Sequence, residues 1–352
     1  MKKLISLLLV LAMALTLVAC GGATEAPAAT EAPKAEAAAP EAPAAEVTTY
    51  DVGVAIYQYN DNFMTLYRQE IEAYFKTLET DTVKYNINMV DSKNDMAEQT
   101  NQIDTFITQQ MDVIICNLVQ TASADVIIDK VVEANIPLIL INREPLGENG
   151  DESYEGIINN PTVCYVGADA RQSGTYQGEM VAELDNKGDL NGNGTVDYVM
   201  IIGDPENPDA QYRTEYSIKA LTDAGIAVNE LVANVGNWDQ AKGEEIAATA
   251  LAQFGDQIDV IFCNNDAMAL GAATAISAAG RTVGEDIYLL GVDALAECQE
   301  MVQNGTMTGT VLNDHVGQSH AAVDAAIAAL NGEALENYYW VDYLKVNAAY
   351  FG

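Results

Sequence analysis

From Thr49 onward, short apolar runs alternate with stretches whose apolar residues recur every three to four positions, at the spacing of β-α units. The pattern predicts strands over 51–57, 84–90, 112–117, 137–142, 163–167, 197–203, 226–233, 259–264, 287–293 and 308–312. It predicts helices between them, such as 63–78, 95–110, 170–185, 239–253 and 315–331. Most of the strand runs are apolar on both faces, which suits a parallel sheet covered by helices rather than an open antiparallel one. The fold class is therefore α/β and doubly wound.

The pattern also repeats. Asp112-Val-Ile-Ile-Cys-Asn117 returns as Asp259-Val-Ile-Phe-Cys-Asn264, and Tyr67-Arg68 returns as Tyr212-Arg213, at offsets of 147 and 145 residues. Two matches at nearly one offset suggest two similar Rossmann-like lobes joined by a hinge, with a cleft where the carboxyl ends of their strands face each other. The expected division is 47–167 with 314–345 for one lobe and 168–313 with 346–352 for the other. The chain then crosses near 167–169, near 313 and somewhere in 340–349.

Ahead of this domain, Lys2 and Lys3 precede an apolar or small run from Leu4 to Ala19, followed by Cys20. The run has the size of a signal-peptide core and is short for a membrane span, although an uncleaved anchor is the alternative. The small residue before Cys20 resembles a bacterial lipobox, which implies removal of residues 1–19 and lipid attachment at Cys20. Residues 21–46 repeat Thr-Glu-Ala-Pro with variations, carry Pro27, Pro33, Pro40 and Pro43, and have nothing with which to build a core. They read as a disordered tether with a root-mean-square span of roughly 30 Å. The membrane is then met only through the N-terminal lipid.

Composition narrows the partners. Sixteen Lys and Arg stand against 52 Asp and Glu, a formal net charge of −36 that becomes −38 once Lys2 and Lys3 leave with the leader. Nucleic acid is excluded as a partner, because neutralising phosphates requires clustered basic residues. A neutral or cationic ligand fits this charge. The five cysteines are too few for a disulfide scaffold, and Cys116, Cys164, Cys263 and Cys298 sit in apolar stretches as small hydrophobes.

The strand ends carry polar residues that a core does not need. The first half supplies Tyr57, Asp61 and Phe63, then Asn142. The second supplies Asn207, Asp209 and Arg213, then Trp238, Asn265, Asp293 and Asn313. Sugar hydroxyls both donate and accept, so carboxylates, amides and a forked guanidinium suit a neutral polyol, and Phe63 and Trp238 could cover its C–H faces. Taken singly, Asp61 and Asp266 could instead cap helices, Phe63 and Trp238 could be core, and Asn142 and Asn265 could be turn residues. Their joint position at strand exits in both halves favours a site.

At these residues the chain resembles the periplasmic galactose/glucose-binding proteins of ABC sugar import, within the type I solute-binding family. The likeness runs from about residue 51 to the C-terminus. It is carried by Tyr57-Gln-Tyr-Asn-Asp-Asn-Phe-Met64, Asn142-Arg-Glu-Pro145, Asn207-Pro-Asp-Ala-Gln-Tyr-Arg213, Asn264-Asn-Asp-Ala-Met-Ala269, Gly291-Val-Asp-Ala-Leu295 and Gly309-Thr-Val-Leu-Asn-Asp314. The resemblance implies a type I periplasmic binding protein fold and a hexose held by Asp61, Asn142, Asp209, Arg213, Asn265, Asp293 and Asn313. Phe63 and Trp238 would be the stacking rings, and Tyr57 would act through water. Asn207 stands where the family usually has His, which bears on the choice among galactose, glucose, a pentose and a methyl galactoside. The implied partners are an ABC permease and, compatibly, a chemoreceptor; a monomer is expected.

Asp189-Leu-Asn191-Gly-Asn193-Gly194-Thr195-Val-Asp197 places oxygen-bearing residues at positions 1, 3, 5 and 9 of an EF-hand-like loop, with Gly at 6 and a backbone carbonyl available at Thr195. The twelfth position is Met200, so the loop lacks its own bidentate Glu. A metal-free Asn-Gly-Asn-Gly turn is the alternative. The resemblance implies a structural Ca2+ whose shell is completed by a distant carboxylate, here Asp259, one methylene shorter than the family's common Glu. His315 and His320 read as helix residues and Trp340 as packing. A glycosidase needs a defined acid–base pair, and nothing in the sequence singles one out. A regulator built on the same lobes would need a helix-turn-helix where this chain has a secretion signal.

Overall fold

A computed structural model describes residues 46–147 and 154–352. The leader, Cys20 and all but the last residue of the tether lie outside the described residues. The first sheet is built around β1 (Thr48–Ile56), which pairs in parallel with β2 (Val83–Asp91) on one side and β3 (Val113–Cys116) on the other. Next to β3 come β4 (Leu138–Ile141) and β5 (Val163–Gly167), again parallel. All residues of β3, β4 and β5 are buried, which is why these runs carry no polar alternation.

Helices cover both faces. The helix α1 (Asn62–Leu78) buries Phe63, Met64, Tyr67, Ile71 and Phe75, a stripe at helical spacing, against one face. The other face takes α2 (Met96–Thr108), α3 (Ala124–Glu133) and the single turn α4 (Glu155–Ile158), whose apolar residues share a core with Ile114, Leu138 and Val163.

From β5 the chain crosses into α5 (Ala170–Ala182) and the second lobe. There β6 (Val196–Ile202), α6 (Pro208–Asp223), β7 (Val228–Val235), α7 (Gln240–Phe254), β8 (Val260–Cys263), α8 (Asp266–Ala278) and β9 (Tyr288–Leu290) follow in turn. The four strands form a parallel sheet in the order β7-β6-β8-β9. After α9 (Ala296–Gln303), β10 (Thr310–Leu312) bridges to the end of this sheet. The chain then returns to the first lobe as α10 (His315–Leu330), where Ser319 Oγ donates to the Tyr67 carbonyl at 3.0 Å.

Two short strands were not read from the pattern. β11 (Tyr338–Trp340) joins the edge of the first sheet beside β5, and β12 (Leu344–Val346) pairs antiparallel with β10. The third crossing therefore falls between Trp340 and Leu344. Residues 344 and 345, placed by sequence in the first lobe, belong with the second because their backbone hydrogen bonds go to β10. Trp340 packs against Tyr165 with ring centroids 5.5 Å apart.

The internal repeat has a physical basis. Asn117 and Asn264 each follow a central strand, and each side chain accepts a backbone N–H just past the neighbouring strand: Tyr57 N at 3.3 Å and Gly203 N at 3.0 Å. Each amide thus holds two strand exits together at the floor of the cleft. The Tyr-Arg match carries no such equivalence. Tyr67 is fully buried in the first core, whereas Tyr212 lies under the Arg171 guanidinium and is half-buried. The two dipeptides sit on different faces of their helices.

Candidate functional site

All eleven residues that the sequence placed at strand exits line one cavity between the lobes. Met64 and Arg143 line it too and were missed. Arg143 lay inside a quoted motif; what distinguishes it is the exit from β4, where Asn142 takes a left-handed φ of 63° and turns the next side chain toward the cleft.

Three helices begin at this cavity, and site residues cap them. Asp61 Oδ1 accepts Met64 N at 2.8 Å, Asn207 Oδ1 accepts Asp209 N at 3.0 Å, and Asn265 Oδ1 accepts Met268 N at 3.0 Å. Capping and lining the cavity were opposed readings of Asp61; one side chain does both, because a carboxylate has acceptor capacity left over after the cap is satisfied. Asp266 is not the cap of α8, since Asn265 holds that place. The Asp266 carboxylate is buried instead, accepting Thr310 Oγ1 at 2.7 Å and Leu295 N at 2.8 Å. Burial raises its pKa to about 6.

The second-lobe wall is organised by Arg213, which is 3% exposed. Its Nη1 donates to the Asn264 carbonyl at 2.9 Å, and its Nη2 donates to Asp209 Oδ2 at 3.1 Å and to the Tyr343 hydroxyl at 3.0 Å. Burial works against its charge, yet Tyr343, Asp209 and Asp293 outweigh burial and hold its pKa above the ordinary value. Burial raises the pKa of Asp209, an effect opposed by Arg213 and Arg143. Asp293 is pushed well up, first by burial and then by Asp266 and Asp61, with Arg213 opposing. The guanidinium of the Asp209–Arg213 pair stays protonated, and it opposes the rise that burial imposes on the Asp209 carboxyl.

Asp293 has φ 123° and Ala294 φ 51°, a backbone that L-residues rarely adopt and that surrounding contacts hold in place. Asn313 Nδ2 donates to Asp293 Oδ1 at 3.3 Å, and Gln318 Nε2 from α10 donates to Asn313 Oδ1 at 2.6 Å. This last bond crosses from one lobe to the other. Opposite, Tyr57 donates its hydroxyl proton to Asp61 Oδ2 at 2.6 Å, and Asn117 Nδ2 donates to Asn142 Oδ1 at 3.2 Å.

The two rings reach the cavity by different means. Phe63 stands edge-on to Tyr67 and His315, with centroids at 5.9 and 6.5 Å. Trp238 has φ 66°, and its indole lies so close to Gly203 that a Cβ there would come within 2.2 Å of the ring. Only glycine lets the indole occupy that space. The result is a space lined by two aromatic rings together with carboxylates, amides and guanidinium groups. Such a surface can exchange hydrogen bonds with a small polyhydroxylated molecule and cover its apolar patches.

The loop from Asp189 to Asp197 lies away from this cavity, against Asp259. Asn193 Nδ2 is 2.8 Å from Asp197 Oδ2, and Asn191 Nδ2 is 3.3 Å from both Asp197 Oδ2 and Asp259 Oδ2. Asp259 also accepts backbone N–H groups of Leu190, Asn191 and Asp197. Among the described residues no group of three or more His, Cys, Asp or Glu is placed to hold a metal on its own. Amide and carbonyl oxygens would have to complete any shell. The donors fit in kind: their spacing of 2.8–3.3 Å is that of neighbouring ligands on an ion with bonds of about 2.4 Å, once the amides turn their oxygens inward.

Two parallel-sheet lobes, three crossings and a polar cavity between them define a two-lobed solute-binding protein. Residues 52–334 match the family model described as periplasmic binding protein domain, and the chain belongs to that family. It is 36% identical over 294 residues to the D-galactose/methyl-galactoside binding periplasmic protein MglB of Haemophilus influenzae, covering 82% of this chain and 84% of that one. A xylitol-binding protein of Mycolicibacterium smegmatis is 25% identical over 291 residues, covering 82% and 75%. Among solved structures, an ABC transporter solute binding protein from Bacillus halodurans with bound myo-inositol superposes with a TM-score of 0.73 at 27% identity, covering 85% of this chain and 95% of that one. The family consists of solute-binding proteins, so the chain is a binder and not an enzyme.

Proposed function

We propose that the interlobe cavity captures a neutral sugar of hexose size, galactose, glucose or a close relative, and that the closed form delivers it to an ABC permease. One observation carries the reading: residues of both lobes, carboxylates, amides and guanidinium groups together with Phe63 and Trp238, line one cavity. The galactoside-binding relative supports the hexose, and the inositol-bound and xylitol-binding relatives support a neutral polyol. Sugar touches both lobes only when they are shut, so binding shifts the population toward closure. Attachment through Cys20 would hold the domain near the permease on the outer side of the membrane.

Ligand at about a hundred times its Kd is expected to raise Tm by about 5 °C. Differential scanning fluorimetry with galactose, glucose, ribose, xylitol and myo-inositol checks this. Superimposable curves across the panel would remove the proposal.

We also propose that the 189–197 loop binds Ca2+ through Asp189, Asn191, Asn193, Asp197, Asp259 and the Thr195 carbonyl, supported by the donor spacing above. The ion would brace the second lobe and take no part in holding sugar. Chelation is expected to lower Tm by several degrees and excess Ca2+ to restore it, without a change in sugar affinity. Identical melting with chelator and with calcium would mean that hydrogen bonds alone close the loop.

A further inference from the structure

Outside the inner cavity, the mouth of the cleft is walled by Gln58, Asn94 and Gln120 of the first lobe and by Asp204, Asp239 and Lys242 of the second. Arg143 reaches it from the end of β4. Its side chain is 2% exposed, its guanidinium lies 3.8 Å from the centre of the Tyr57 ring, and its Nη1 donates to the Val119 carbonyl. Tyr57 and Val119 both belong to the first lobe. From the second lobe comes Asp204, whose Oδ2 stands 3.5 Å from Arg143 Nη1. Asp204 lines the mouth but not the inner cavity, and its Oδ1 accepts Glu206 N at 3.0 Å, which fixes the carboxylate's direction.

The consequence follows from what opening separates. When the lobes part, Arg143 keeps its carbonyl and its ring and regains water; it loses the Asp204 contact and, behind it, the attraction of Asp209. When they shut, the guanidinium is taken out of water, and the cross-lobe carboxylate is its counter-charge. Asp239 and Lys242, the other charges that the second lobe brings to the mouth, are of opposite sign, and Asp61, which also lines it, belongs to Arg143's own lobe and stays with it on opening. We propose that the Arg143–Asp204 pair is a latch across the cleft that favours the closed arrangement and so sets ligand affinity from outside the pocket. In speaking of sugar affinity the proposal rests on the reading above; in speaking of closure it does not.

Asp204→Asn removes the charge and keeps the acceptor for Glu206 N, while Asp204→Glu keeps the charge. Small-angle scattering of the ligand-free chain at low salt is expected to give a larger radius of gyration for Asp204→Asn than for wild type or Asp204→Glu. Calorimetry is expected to show about tenfold weaker sugar binding for Asp204→Asn, and binding within about twofold of wild type for Asp204→Glu. Raising salt to about 0.5 M is expected to weaken wild-type binding more than that of the Asn variant, an arm that survives if a variant folds poorly. A change in scattering or affinity confined to the Asn variant supports the latch. Unchanged scattering and affinity within twofold overturn it. If no sugar binds even wild type, the sugar reading has failed, and scattering alone decides the latch.

Discussion

Arg213→Met is expected to lose both sugar binding and about 3–5 kcal/mol of stability, the effect of breaking a buried charge pair by removing one partner. The guanidinium ties together three segments: α6 through Asp209, the exit of β8 through Asn264, and the third crossing through Tyr343. Methionine fills part of the volume but donates nothing, so Asp209, at 6% exposure, is left buried without the guanidinium that donates to it. Burial already raises the Asp209 pKa with Arg213 present, and losing Arg213 raises it further. A carboxyl whose folded pKa is raised adds stability that is present at low pH and lost as pH rises through that pKa. The deficit of the variant should therefore be largest near pH 7 and shrink toward pH 4. Urea unfolding at both pH values checks this, and a constant deficit would show that Asp209 is not the group left stranded.

Asp61 separates binding from folding more cleanly. Asp61→Asn keeps an oxygen for Met64 N and so keeps the cap of α1, but loses the carboxylate that faces the cavity and accepts the Tyr57 hydroxyl. Hydrogen bonds to charged groups contribute about 1.5–3 kcal/mol each, so sugar binding is expected to weaken by about a hundredfold with Tm nearly unchanged. Asp61→Ala removes the cap as well and should cost about 1 kcal/mol of stability in addition. Calorimetry alongside thermal melting distinguishes the two. Wild-type affinity in Asp61→Asn would reduce the residue to a helix cap.

Much of this was legible in the sequence because parallel strands buried on both faces leave an unmistakable apolar run, as at Val113–Cys116 and Val260–Cys263. The polar residue after such a run has few reasons to be there, which exposed Asn142, Asn265 and Asp293. β11 and β12 were hidden because three residues are too short for a periodic signal, and β12 is half exposed at an edge. Without them the third crossing could be placed only within 340–349, and Tyr343, whose role depends on a partner 130 residues away, stayed hidden. Arg143 was missed for another reason: a charged residue two places past a strand ordinarily faces solvent, and only the left-handed turn at Asn142 brings it inward. The repeated Tyr-Arg pair shows the converse, since identical residues at a near-constant offset landed on different helix faces.

Titration calorimetry of the wild-type chain and Asp61→Asn against galactose and glucose bears most directly on the claim that the cavity between the lobes holds a neutral sugar. One saturable site per chain for at least one of the two, with affinity collapsing in Asp61→Asn, is the expected result. The absence of saturable heat with either sugar at millimolar concentration, or equal affinity in the two proteins, would contradict it.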